Sequence, residues 1–521
     1  MSDGAPQLLC GTNKRVRLLL TAVISILLLS AQEQTHPSQV MNGMRSYRVH
    51  LPANYATSQK RYPVIYWLHG YEAGGDERSA QLTAWAAKHD AIVIDSGPVE
   101  TSGNYPLYLP ELADRVDRTL RTIPGREHRG VAGFGTGGFL ALWLAANSPD
   151  VVGSASALSP ARSAALGPRG FEVDTVLEDL HPDYESVRTR LFNSGDVPAT
   201  LDFHMEAFAN PMPKPKVFDH ADPYPNFTIW SWQVISDRRR PGITQLENVS
   251  SHGFHCVVRE WMPGGAIMPE IKLTVTSPPI YAPRTSHTVT YVRLADRKTR
   301  RALQRADAQG RMTFDLDGGE YEVGIGSEAV MALSGYELAD AAWATAGAPV
   351  KLRLLFWNKG AARSTTASLK WETSTAGVKF AEPGARVPAL APGESAAVPV
   401  TFTAATALAG SVRIGAAGLA IEVPVYPAAA PSTDFKLIDE TDHDGHASPG
   451  EAFAISLPDG RAELITRDPC VDTTVRIVED GTRYTHAAIR PNCEPGRTVR
   501  MLARTSTSYA AIEFPIWYKL P

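Results

Sequence analysis

The chain has 521 residues, too many for one hydrophobic core, and at ~100 to 200 residues per domain it predicts about three to five domains. Its formal net charge of -4 supplies no global basic field for nucleic acid. The small basic clusters, Arg238-Arg239-Arg240 and Arg297 to Arg301, are explained as solvated loops.

In chain order, the first feature is Asn13-Lys14-Arg15-Val16-Arg17 followed by an almost unbroken apolar run, Leu18 to Leu29, and then Ser30-Ala31-Gln32. A basic region, a short apolar core and small residues predict a secretory signal over residues 1–32; a span needs about 20 apolar residues. A retained amino-terminal anchor is the alternative, because no small-x-small cleavage site is present. Either way the expectation is export, to an extracellular or periplasmic location, with no further membrane span. Of the four cysteines, Cys10 departs with the signal, Cys470 and Cys493 are expected to pair in an oxidising compartment, and Cys256 is expected to be a buried free thiol.

The next part alternates strands and helices. Tyr62-Pro63-Val64-Ile65-Tyr66-Trp67-Leu68 predicts a buried parallel strand running into the loop His69-Gly70-Tyr71, and Ala91 to Ser96 predicts another. Tyr108 to Asp117 has helical spacing, Arg129 to Ala132 is strand-like, Phe139 to Asn147 is helical, and Val151 to Pro160 is a further strand. That alternation predicts a doubly wound parallel sheet.

Between strand and helix lies Gly133-Phe134-Gly135-Thr136-Gly137-Gly138. It has the shape of a GxSxG nucleophile elbow, in which flanking glycines relieve crowding around a strained turn. The flanks are Gly133 and Gly137, and the nucleophile position is Gly135, which carries no hydroxyl. Shifting the register to make Thr136 the nucleophile puts Phe134 at a crowded flank and a β-branched residue in the strained conformation.

The stretches Tyr62 to Gly75, Tyr108 to Asp117 and Gly130 to Pro160, taken as an ordered set, resemble the esterase family of α/β hydrolases that includes esterase D, feruloyl esterases, acetyl xylan esterases and mycolyltransferases. The resemblance covers Arg45 to Ala161. It implies an α/β-hydrolase fold and an oxyanion hole with one amide from the loop around Gly70 and Tyr71 and another from Thr136. A complete member continues, after Ser159-Pro160, with an acid-bearing strand, a helix, another strand, a histidine loop and a closing helix. Here the strand Tyr184 to Phe192 is followed almost at once by the helix-like Thr200 to Phe208, so the histidine-bearing strand and loop are absent from the expected domain, residues 43–210. Asp196 falls where the resemblance puts the acid, and equally suits a turn after the strand. His204 is expected to be a satisfied or exposed helical histidine, and His220 to belong to the next domain.

After Pro211 to Lys216 the pattern becomes strands and turns, predicting all-β sandwich domains at residues 217–340, 343–426 and 432–521. The first contains Phe227 to Val234 as a single strand, whose Trp230 and Trp232 share a face as core or as a sugar platform. The second, with Val350 to Gly360, Leu390 to Ser395 and Val398 to Thr403, resembles immunoglobulin-like modules. The third holds Glu440-Thr441-Asp442-His443-Asp444-Gly445 with Glu451. Carboxylates at alternate positions, a glycine, and a carboxylate six residues after it match a Ca²⁺ loop; Glu440, Asp442, Asp444 and Glu451 are the expected ligands, with an acidic solvated turn as the alternative.

Two readings follow. One is an exported, catalytically degenerate esterase-like protein that binds carbohydrate or a cell-surface polymer, needing no catalytic cofactor and holding structural Ca²⁺. The other is a carboxylic ester hydrolase acting on acylated carbohydrate or small esters. The missing serine favours the first.

Overall fold

In the computed structural model, the described residues are 31–69, 75–98, 105–160, 186–192, 196–260, 265–406, 410–479 and 482–518. Residues 1–30 of the expected signal segment therefore lie outside them, as do Gly70 and Tyr71. The chain divides into two compact units, 1–168 with 184–214, and 169–183 with 215–521.

The first unit is built on seven strands: β1 (Gln32–Ser38), β2 (Gly43–His50), β3 (Val64–His69), β4 (Ile92–Pro98), β5 (Arg129–Phe134), β6 (Ser154–Leu158) and β7 (Arg188–Phe192). Their order across the sheet is β1-β2-β4-β3-β5-β6-β7. From β4 to β7 all neighbours are parallel, while β2 joins β4 antiparallel. Every residue of β3 is buried, as a central strand covered on both faces requires. The helices are α1 (Gly75–Ala86), α2 (Tyr105–Thr119), α3 (Thr136–Asn147) and α4 (Val197–Ala209). Helix α3, TGGFLALWLAAN, is apolar around nearly its whole circumference and is correspondingly buried.

The sheet begins ahead of residue 43, because β1 pairs with β2 from Gln32↔Val49 to Ser38↔Gly43. This edge strand is polar and contains Pro37, so hydrophobic alternation did not mark it. At the other edge, β7 is mostly exposed and only residues 193–196 separate it from α4. No strand and helix intervene there, as the spacing predicted. Helix α4 is docked through Trp85, whose Nε1 donates to Asp202 Oδ1 at 2.7 Å.

The second unit is all strands among its described residues. Its first part comprises β8 (Phe218–Asp222), β9 (Phe227–Ile229), β10 (Trp232–Ser236), β11 (Ile243–Ser250), β12 (Gly253–Arg259), β13 (Lys272–Thr276), β14 (Ser286–Arg293), β15 (Thr299–Arg305), β16 (Thr313–Asp317) and β17 (Tyr321–Ile325). They form sheets ordered β16-β13-β10-β9 and β15-β14-β17-β12-β11-β8, which share one apolar core. The expected single strand over Phe227 to Val234 is instead a hairpin. Trp230 (φ 50°) and Ser231 (φ 67°) make its two-residue turn, the left-handed pair that suits the twist of the flanking strands. Both Trp230 and Trp232 are buried in the core, which removes them as a sugar platform. Cys256 is a buried free thiol, and burial pushes its ionisation up.

His255 on β12 lies 3.0 Å from Glu247 and 3.4 Å from Glu320. Burial alone would lower its pKa, but the two carboxylates overcome that and raise it to about 10. The folded value exceeds the ordinary value of 6.5, so this ion cluster contributes fully below about pH 6.5, and the contribution is lost as pH rises toward 10. Urea midpoints should fall between pH 7 and 10, and His255→Gln should flatten that slope. An equally steep slope in the variant would assign the loss elsewhere.

Two further cores follow, one over residues 333–425 and one over 447–516. Each draws on more than one sheet. In the last, Cys470 and Cys493 form a disulfide with Cα atoms 5.7 Å apart. A small core depends strongly on such a link, worth about 2–4 kcal/mol. Reduction should raise amide exchange throughout strands Val471–Glu479 and Thr498–Arg504 while leaving β12 protected; uniform protection after reduction would show the link to be dispensable.

Candidate functional site

The carboxyl ends of β3, β5 and β6 meet the start of α3, the place where open α/β sheets carry their sites. Gly135 stands between β5 and α3 with φ 56° and ψ -122°. That left-handed backbone favours glycine and costs other residues about 1–3 kcal/mol. The turn is anchored, since the Gly135 amide donates to Leu158 O at 3.1 Å and its carbonyl accepts from Phe139 at 3.0 Å. A Cβ built on Gly135 meets no atom within 4 Å, so the space for a side chain exists. The flanking glycines have the opposite surroundings. A Cβ on Gly133 would sit 2.3 Å from Gly137 O, and one on Gly137 would sit 2.1 Å from Leu68 O. They are demanded by the close approach of α3 to β5 and β3, whatever residue stands between them.

Thr136 is buried and is the first residue of α3. Amides in a helix's first turn have no intrahelical acceptor and sit at the positive end of the dipole, so the Thr136 N–H suits an oxyanion. The partner expected from Gly70 and Tyr71 falls outside the described residues. Asp196 caps α4, its carboxylate accepting the Ala199 amide at 2.9 Å. That is the local turn role, and the residue is exposed, with no histidine among its hydrogen-bond partners in the described residues.

His204 is fully buried beneath the sheet. Its Nδ1 lies 2.7 Å from Ser154 Oγ and its Nε2 lies 2.8 Å from Ser156 Oγ. Ser156 donates its own proton to Thr200 O at 3.3 Å, so Nε2–H donates to Ser156 and Nδ1 accepts from Ser154. Gly130 makes room for the ring, because a Cβ there would fall 2.4 Å from Nδ1. Burial lowers the pKa to about 3, leaving a neutral, satisfied core histidine. His220 belongs to the second unit, buried on β8 with Nε2 3.2 Å from Asp222 Oδ2.

One pair was not foreseen. His69, the last residue of β3, has Nε2 2.7 Å from Asp95 Oδ1 on β4, and both are buried. Burial works to raise the Asp95 carboxyl, but the hydrogen bonds from His69 and the Gly97 amide hold it below its ordinary value. The two residues lie 26 positions apart, and only the parallel pairing of β3 with β4 brings them together. A His-Asp pair of this kind orients an imidazole and stabilises its charged form. Among the described residues no hydroxyl hydrogen-bonds to His69.

In the carboxy-terminal core, the acidic loop brings together Asp439, Asp442 and Glu451, with one oxygen of each within 4.8 Å of the others. Asp442 and Glu451 were expected there. Glu440 instead faces His486 at 3.8 Å, and Asp444 accepts the His446 amide at 2.8 Å. Asp439 replaces them because it ends the strand Lys436–Asp439 facing inward, and it accepts amides from Thr441 and Asp444, each at 2.8 Å. Burial would raise Asp439, yet these amides bring it down to about 2; Asp442 is pushed up by its hydrogen bond to Asp439. Hard carboxylate oxygens converging in this way suit Ca²⁺.

Residues 38–186 match the family model described as Putative esterase. Among solved structures, the chain is similar to a ferulic acid esterase from Anaeromyces mucronatus, at 22% identity over 25% of this chain and 58% of that one, with a TM-score of 0.23. It is also similar to an S-formylglutathione hydrolase from Staphylococcus aureus, at 18% identity over 31% of this chain and 77% of that one, TM-score 0.26. Another S-formylglutathione hydrolase, from Agrobacterium tumefaciens, has 14% identity over 36% and 97% of the two chains, TM-score 0.27. The chain thus spans little more than half the length of the Anaeromyces enzyme. No curated protein matches it. The family match, on the strand order and elbow described above, makes residues 38–186 an esterase-like α/β-hydrolase region.

Proposed function

We propose that this is an exported, catalytically silent esterase-fold protein that acts as a binding or surface protein, its first unit serving as a scaffold beside β-sandwich modules. The carrying observation is Gly135: the elbow keeps its backbone conformation and open space, without a hydroxyl. The neighbouring chemistry agrees, since His204 is sealed in the core and Asp196 is occupied as a helix cap. Carbohydrate or a cell-surface polymer is the proposed partner. Among the described residues no helix is long and apolar enough to cross a membrane.

The test is labelling of the full chain with a serine-directed fluorophosphonate, together with turnover of an activated aryl ester. Neither should exceed a heat-denatured control. Gly135→Ser should also stay unlabelled, because a serine without a base is a weak nucleophile. Stoichiometric labelling of either protein would overturn the reading. A second reading, an ester hydrolase, has one observation in its favour, the His69-Asp95 pair at the strand ends. It requires measurable turnover that disappears in His69→Gln.

We also infer that Asp439, Asp442 and Glu451 hold a structural Ca²⁺. The ion would offset the mutual repulsion of the three carboxylates and tie the strand Lys436–Asp439 to the strand Ala452–Leu457. EDTA should therefore raise amide exchange in both strands, and added Ca²⁺ should reverse it. Unchanged exchange, with no heat on titrating Ca²⁺, would leave only an acidic turn.

A further inference from the structure

Away from the elbow, the second unit contains a cavity of about 670 Å³ between the sheet of β13 and β16 and the sheet of β14, β15 and β17. Its size falls within the ~300–1,000 Å³ of small-ligand sites. Its walls combine an apolar floor, Leu273 and Leu316, with tyrosine and unevenly matched charge.

Four cations, Lys272, Arg293, Lys298 and Arg300, line it against two carboxylates, Asp315 and Asp317, an excess of two positive charges. The carboxylates are engaged: Asp315 accepts from Thr274 at 2.9 Å, and Asp317 pairs with Arg293 at 3.5 Å. Lys298 pairs at 3.1 Å with Asp296, outside the lining. Lys272 and Arg300 pair with no carboxylate among the described residues; the Arg300 guanidinium lies over the Tyr291 ring at 4.2 Å. The Arg293 Nε is sealed from solvent, so an occupant of the cavity meets Lys272 and Arg300 rather than that donor.

An occupant suited to these walls carries an anionic oxygen pair for Lys272 and Arg300. It also carries a flat body to lie along the half-buried Tyr321 ring and the leucine floor. We propose that this cavity binds a carboxylate borne on a six-membered ring, as in a uronate sugar or an aromatic acid. The carboxylate matches the guanidinium fork, and the ring uses the tyrosine face. The site lies in a different module from the elbow, so it stands whether or not the elbow is silent.

Isothermal titration of the full chain with digalacturonate, benzoate, a neutral disaccharide and inorganic sulfate tests this. At least one of the carboxylated rings should bind, more weakly as salt rises, and which one binds distinguishes the two sources. The neutral sugar and sulfate should not compete. Lys272→Gln with Arg300→Gln should weaken binding about tenfold or more with an unchanged melting temperature. Arg353→Gln, which removes an exposed cation paired with Glu337 on other strands, should bind as the unmodified chain does. The proposal fails if neither carboxylated ring binds at millimolar concentration, if sulfate or the neutral sugar binds equally well, or if the double variant binds unchanged.

Discussion

Gly137→Ala is expected to lose at least about 3 kcal/mol or to fail to fold, whereas Gly135→Ala, two residues away in the same turn, should remain folded. At Gly137 an added methyl meets the Leu68 carbonyl at 2.1 Å, and the obstacle is backbone of a fully buried central strand. Relief requires separating α3 from β3, an overpacking cost at or beyond the upper end of its usual ~1–3 kcal/mol. At Gly135 the methyl meets nothing within 4 Å, and only the positive φ is penalised, by about 1–3 kcal/mol. Urea unfolding of both variants decides the matter. Equal stabilities would mean that the close strand-helix approach is wrong.

Lys359→Met is expected to destabilise the second unit by about 3–5 kcal/mol. Lys359 Nζ lies 3.0 Å from Glu322 Oε2, and the two side chains are 3% and 0% exposed. Removing the ammonium strands a carboxylate whose remaining partner is the Ser334 hydroxyl at 2.6 Å. The double variant Lys359→Met/Glu322→Met should recover most of the loss, because the main cost comes from the unpaired charge rather than from the absent attraction. Chemical unfolding of both single variants and the double variant checks this. A double variant as unstable as Lys359→Met would point to lost packing instead.

The parts of the fold that the sequence disclosed are those where pattern and packing agree. Val64 to Leu68, Ile92 to Ile94 and Phe139 to Ala146 are apolar because they face the interior, and each lies within the element expected. The hairpin at Trp230-Ser231 was missed because its turn carries neither Gly, Pro nor Asn, and the only mark it leaves is one break in the alternation, the adjacent apolar pair Ile229-Trp230. Asp439 escaped the proposed ligand set because the spacing rule counts from a loop's first carboxylate, while here a strand's last residue supplies the oxygen. Ser154 and Ser156, two apart on a strand and so on one face, could have suggested a polar partner above them; that it would be His204 depends on where α4 lands. The empty nucleophile position was readable from Gly135 alone. The His69-Asp95 pair was not, since it exists only through the neighbouring positions of β3 and β4.

The short connection from β7 to α4 makes the two departures from the family pattern unequal in reach. A hydroxyl returns to position 135 by one substitution, into space that is already open. A base on the family's plan does not return by substitution at all, for residues 193–196 are too few to carry a strand, a loop and a helix. On the proposed reading, a hydrolase of that plan would therefore need an insertion of chain first, and only afterwards the serine.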